Sequence, residues 1–114
     1  MALARYEMKF MFDWGCDTCV WSTNDAAREK YHDYPVDLSE LPISTELLRF
    51  LEELCGEHNK ALDWECPSNG LIWSEEEIEL FSQKAKRGYE RLCQELGPEY
   101  HVIIWNEKSK YPFM

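Results

Sequence analysis

Apolar and polar positions alternate most clearly near the start of the chain. Met8, Phe10, Phe12 and Trp14 occupy the even positions, with Lys9, Met11 and Asp13 between them. A period of two predicts a strand over residues 8–14 with its even face inward. Gly15 breaks the run, and residues 19–23 (Cys-Val-Trp-Ser-Thr) have the β-favouring content of a second short strand. Asn24-Asp25 then turns the chain. Residues 26–31 are helical by propensity but too short to stand alone. Pro35 biases Tyr34 away from helix, so residues 33–37 read as extended, either a third, edge strand or a loop.

Beyond residue 42 the period changes to that of a helix. Ser44 or Thr45 is the N-cap, Glu46 sits in the first turn, and Leu47, Leu48, Leu51, Leu54, Cys55, His58 and Leu62 recur at spacings of three and four. This helix is expected to end near Asp63, before a turn at Pro67-Ser68-Asn69-Gly70. A second helix opens with the capping box Ser74-x-x-Glu77, and Trp73 and Ile78 are placed as a hydrophobic staple. Its stripe runs Ile78, Phe81, Ala85, Tyr89, Leu92, Leu96, and Gly97-Pro98 stops it. Gly88 lies beside the stripe at a cost of about 1 kcal/mol against alanine, which points to close helix packing there. Residues 100–105 (Tyr-His-Val-Ile-Ile-Trp) form a nearly continuous apolar run that fits a central strand. The order β, β, α, α, β, with residues 33–37 as an optional third strand, predicts an α+β two-layer sandwich. Two long helices would cover one face of a small three- to four-stranded sheet, with the last strand pairing with the first.

Length makes this a single domain over residues 1–114, with residues 1–7 and 108–114 as candidate flexible ends. Hydrophobic content of 45% with 16 aromatics supplies a core. No apolar run approaches the ~18 residues that span a bilayer. The first residues lack the order of a signal peptide. A cytoplasmic location is therefore expected.

Charge changes the picture more. Residues 40–79 hold eleven acids against Arg49 and Lys60, so most of the net charge of −10 is concentrated there. Such a field repels nucleic acid and anionic lipid and attracts basic proteins. Helix-dipole and capping preferences account for much of Glu75–Glu79. They do not account for the seven acids against two bases between residues 40 and 65. Trp64, between Asp63 and Glu65, reads either as an aromatic anchor for a basic partner or as a cap over the core between the helices.

Candidate chemistry is sparse. Cys16-x-x-Cys19 follows a strand, but a redox pair needs its first cysteine at a helix N-terminus, and Asp17 disfavours thiolate. A zinc site needs four ligands, and Cys66, His32, His58 and His101 are scattered. Cys55 and Cys93 fall on apolar helix faces, where thiols act as small hydrophobes. His58 reads as a partly buried core residue. There is no serine elbow, phosphate loop or metal-spaced histidine pair. No catalytic residue, resident metal or cofactor is expected.

Phe12-Asp13-Trp14-x-Cys16 with Trp21, Leu41-Pro42-Ile43-Ser44, and Trp73-Ser74 resemble segments of a group of small acidic bacterial cytoplasmic proteins. Some of that group resemble the immunity partners of secreted or contact-delivered toxins. The resemblance implies no catalytic residue. It implies a non-enzymatic, antitoxin-like binding protein whose acidic surface occludes a basic partner such as a nuclease toxin. The residues expected to meet that partner are Glu46, Glu53, Glu57, Asp63, Trp64 and Glu65, in a monomer or small homo-oligomer. The alternatives are a thiol-redox or zinc protein using Cys16 and Cys19, and a structural homo-oligomer.

Overall fold

A computed structural model describes residues 4–32, 34–66, 68 and 72–104. Three strands form one sheet in the order β2-β1-β3. They are β1 (Tyr6–Phe10), β2 (Val20–Ser22) and β3 (Tyr100–Ile104). The chain is α+β, as the change of period from two to 3.6 predicts. β1 pairs antiparallel with β2, Met8 opposite Ser22 and Phe10 opposite Val20. It pairs parallel with β3, Met8 opposite Val102 and Phe10 opposite Ile104. The even residues of β1 therefore share one face with Val20, Ser22, Val102 and Ile104. That face is buried, and Met8 and Phe10 lie at its centre.

Some boundaries move. β1 begins at Tyr6, so two residues of the expected loose end belong to the sheet. It stops at Phe10, although Phe12 still turns into the core and Met11 N–H donates to Cys19 O at 2.9 Å. The last strand was expected to be central and is instead an edge, with Ile103 45% exposed. An apolar run shows that one face is covered but not which neighbours the strand takes. Residues 34–36 are neither a full strand nor a plain loop. Pro35 makes an isolated bridge to Trp21, flanked by Ser22 N–H to Tyr34 O and Val36 N–H to Val20 O. The turn expected at 67–70 lies mostly, and the tail from 108 wholly, outside the described residues.

Three helices complete the fold: α1 (Asp25–Tyr31), α2 (Thr45–Lys60) and α3 (Glu75–Leu96). The seven residues of α1 hold by tertiary contact, which a helix this short requires. Asn24 caps it by accepting from Ala27 N–H, and Tyr31 at its end shares a 2.6 Å hydrogen bond between hydroxyls with Tyr100. In α2 the buried residues are Leu47, Leu51, Leu54, Cys55 and His58, five of the seven on the predicted stripe; Leu48 is partly buried, Leu62 lies past the helix end, and Ser44 is the cap. In α3 they are Ile78, Phe81, Ala85, Gly88, Leu92 and Leu96. Tyr89, also on that stripe, is half-buried and donates to Val102 O at 2.6 Å, tying α3 to the edge strand.

The capping box at Ser74 forms as expected. Ser74 Oγ accepts from Glu77 N–H at 3.2 Å, and Ser74 N–H reaches Glu77 Oε1 at 3.4 Å. Trp73 packs against Phe81 with tilted rings, their centroids 5.2 Å apart. Ser74→Ala should lower stability by about 1 kcal/mol, because the Glu77 N–H of the first turn loses its acceptor and Glu77 Oε1 loses the Ser74 hydroxyl. Urea unfolding of the variant measures this, and an unchanged midpoint would show the cap to be idle.

Candidate binding site

α2 ends at Lys60, and the last carbonyls of a helix lack the usual partner four residues on, although His58 O takes the Ala61 N–H at 3.0 Å. Here two tryptophans supply donors. The Trp14 indole N–H donates to His58 O at 3.0 Å, and the Trp64 indole N–H donates to Asn59 O at 2.6 Å. The Asn59 side chain then fastens the 13–17 segment. Its Oδ1 accepts from Gly15 N–H at 2.7 Å, and its Nδ2 donates to Cys16 O at 3.0 Å. Gly15 has φ +80°, a conformation that favours glycine, and a Cβ there would lie 3.9 Å from the Trp64 ring. The end of α2 thus holds two loops against each other.

Each loop is also braced by its own aspartate. Asp13 Oδ1 accepts from Trp14 N–H, and Asp63 Oδ1 accepts from the N–H groups of Glu65 and Cys66. The segments read Asp13-Trp14-Gly15-Cys16 and Asp63-Trp64-Glu65-Cys66, the same pattern fifty residues apart. Residues 13–17 and 63–66 together carry four acids, Asp13, Asp17, Asp63 and Glu65, and no base. Trp64 remains 55% exposed, so it does not cap the core between the helices.

Beneath this surface lies His58, 1% exposed. Its ring stacks on Trp14 with centroids 4.9 Å apart and planes 17° apart, and Phe12 and Phe81 flank it. Neither ring nitrogen has a hydrogen-bond partner among the described residues. Burial pushes its pKa down to about 4, against a smaller upward pull from Asp13. It is a neutral core residue at physiological pH.

The six residues singled out from sequence do not form one cluster. Asp63, Trp64 and Glu65 sit together beyond the end of α2, and Glu57 lies one turn back. Glu46 lies in the first turn, about 17 Å from Glu57 along the helix axis. Glu46 faces Arg91 at 3.7 Å and Glu57 faces Lys84 at 3.2 Å, so α3 partly balances both. These pairs are exposed and hold little energy. Glu53 lines an open groove of about 590 Å³ between α2 and α3, with Phe50 and Glu46 on one side and Arg87, Glu90 and Arg91 on the other.

Three residues that matter here, Asn59, Ile72 and Leu80, were not singled out in the sequence, and Trp14 was read only as a strand and motif position. Asn59 and Trp14 shape the site, and Ile72 and Leu80 are each 59% exposed. Ile72 N–H donates to Ala61 O at 2.7 Å, which returns the chain to the end of α2. Leu80 borders a groove of about 280 Å³ with Glu57, Lys60, Trp73 and Glu77. The repeated Asp-Trp-x-Cys pattern was the available signal for Trp14, whereas nothing near Asn59 in the sequence marks it. Leu80 could have been noticed as a leucine off the apolar stripe.

The thiols are split between surface and core. Cys19 is fully buried, and burial followed by its contact with Cys55 pushes its pKa well up. Cys16 is half-buried and is also raised, first by burial and then by Asp13 and Asp17. A reactive thiol needs the opposite shift. Among the described residues no three His, Cys, Asp or Glu side chains are grouped to hold a metal ion. No described helix is long and apolar enough to cross a membrane.

No curated protein matches the chain. The model of one family, Serratia CdiI immunity protein-like, matches residues 6–107, which takes in every strand and helix described above and both Asp-Trp-x-Cys loops. With nearly its whole length matched, the chain belongs to the Serratia CdiI immunity protein-like family.

Proposed function

We propose that the protein is a non-enzymatic immunity protein that neutralises a toxin by covering its active site, and that it meets the toxin through its acidic surface at the end of α2. Family membership supports the binding role. The observation that carries the choice of surface is the pair of loops at residues 13–17 and 63–66, with four acids, no base and an exposed indole. A nuclease toxin must line its cleft with Lys and Arg to hold phosphate. An acidic surface seated there competes for the same groups, and its field speeds encounter. Glu53 and Glu57 extend this field along α2, and Glu46 marks its far limit. Binding would take place in the cytoplasm, with no cofactor.

The test first finds a partner by co-expressing the protein with the products of the genes adjoining its own and scoring rescue of growth, and then measures binding to the toxin-like domain so identified. Glu53→Lys, Glu57→Lys and Glu65→Lys are combined with Asp63→Asn, which drops the charge while keeping the acceptor that braces the turn. The association rate at low salt should fall by about 10- to 100-fold, and its salt dependence should flatten. An association rate and salt slope equal to wild type would rule the surface out.

A further inference from the structure

We infer that Trp64 is the anchor of this surface, that the partner lays an arginine side chain across its indole, and that Asn59 is the positioning residue that keeps the anchor in place. The inference rests on the binding role proposed above and adds the chemistry of the contact. The Trp64 N–H is already used by Asn59 O at 2.6 Å, so what it offers outward is ring and not a donor. That bond, to a main-chain oxygen, holds the ring before any partner arrives, close enough to the 13–17 loop that a Cβ at Gly15 would meet it at 3.9 Å. Pre-ordered aromatic side chains lose little entropy on binding, and tryptophan is over-represented among interface hot spots.

Ring alone would accept an aliphatic side chain as readily. The surrounding charge decides otherwise: Asp63 and Glu65 flank the indole, and Asn59 holds the segment bearing Asp13 and Asp17 against it. A cation over an indole gains from the ring quadrupole, most strongly over tryptophan. Of the two long cations, the flat, weakly hydrated guanidinium stacks and donates sideways to carboxylates, whereas ammonium keeps its water. A nucleic-acid base could also stack, but its phosphates would meet the four acids. The geometry therefore selects an arginine-bearing protein.

The protein labelled with 5-fluorotryptophan is titrated with hexa-arginine and hexa-lysine peptides and followed by 19F NMR, the Trp64 resonance being assigned by its loss in Trp64→Phe. Hexa-arginine should move that resonance, bind about fivefold or more tighter than hexa-lysine, and weaken by about tenfold in Trp64→Leu. Asn59→Ala keeps the main-chain oxygen that takes the indole N–H but frees the 13–17 loop; checked as folded by its other tryptophan resonances, it should raise the dissociation rate of the toxin-like domain by about tenfold while leaving the salt slope of association unchanged. A merely structural Asn59 would not divide the two rates in that way. An unmoved Trp64 resonance, or equal affinity for the two peptides, overturns the inference. If the toxin-like domain binds wild type and Trp64→Leu alike, the anchor falls and the proposed function stands. If that domain does not bind at all while hexa-arginine moves Trp64 selectively, the anchor stands and the proposed function falls.

Discussion

His58→Leu should remove most of the stability that the protein loses between about pH 6.5 and pH 4. The His58 ring is buried among Phe12, Trp14 and Phe81, and its pKa falls from 6.5 to about 4 because burial disfavours the charged form. Above pH 6.5 the ring is neutral folded or unfolded and contributes no pH dependence. Below it the unfolded chain takes up a proton that the folded chain refuses, so stability drops by about 1.4 kcal/mol per pH unit. The loss reaches about 2 kcal/mol by pH 5 and about 3 kcal/mol by pH 4. Glu95, held below its ordinary value by the Ser44 N–H, and Asp37, held down by Ser39, lose their contribution at lower pH. The interval from pH 7 to pH 5 therefore isolates the histidine. At pH 7 the leucine variant should match or exceed wild type, since two unpaired buried nitrogens cost about 1–3 kcal/mol and the stack on Trp14 contributes about 0.5–1.5. Urea midpoints at pH 7 and pH 5 measure both effects. Parallel pH profiles for the two proteins would exclude His58 as the source.

Gly88 and Gly56 should respond in opposite ways to added side chain. Both lie inside helices, where glycine costs about 1 kcal/mol against alanine. A Cβ at Gly56 would meet nothing within 4 Å, so Gly56→Ala should gain about that amount. At Gly88 the same atom would come within 3.1 Å of Leu51 Cδ2 and 3.3 Å of both Leu54 Cδ1 and Phe50 Cε2. Crowding from three side chains should cancel the helix gain of Gly88→Ala. Gly88→Val adds two methyl groups to the same gap and should cost about 2–4 kcal/mol, at or slightly above the usual range for overpacking. Thermal and urea unfolding of the three variants give the comparison. A Gly88→Val protein as stable as wild type would mean that α2 and α3 separate at little cost.

Close packing at Gly88 was legible because the residue interrupts a regular apolar stripe, and a glycine that weakens a helix needs a reason nearby. Helix starts at Ser44 and Ser74 were legible for a similar reason: a cap and its partners lie within four residues of one another. Even the pairing of the last strand with the first followed from two helices having to return the chain to the sheet. Edge and centre were not legible, since Ile103 and Ile104 read alike whichever neighbours their strand takes. The acidic surface was half legible. Its acids could be counted, but their distribution along α2 and their pairing with Arg91 and Lys84 could not.

What the sequence determined by itself is the fold class and, for the first strand and the two long helices, the inward face, because periodicity and capping act between residues close in the chain. It also determined the sign of the surface, since net charge does not depend on fold. Only the tertiary structure decided that Trp14 and Trp64, fifty residues apart, donate to neighbouring carbonyls at one helix end, and that Asn59 binds the two loops together. It also decided the state of His58, which the stripe placed near the core and which the rings of Phe12, Trp14 and Phe81 pack against. Orphan carbonyls must find donors, and which donors they find depends on the loops the packed sheet and helices bring within about 3 Å.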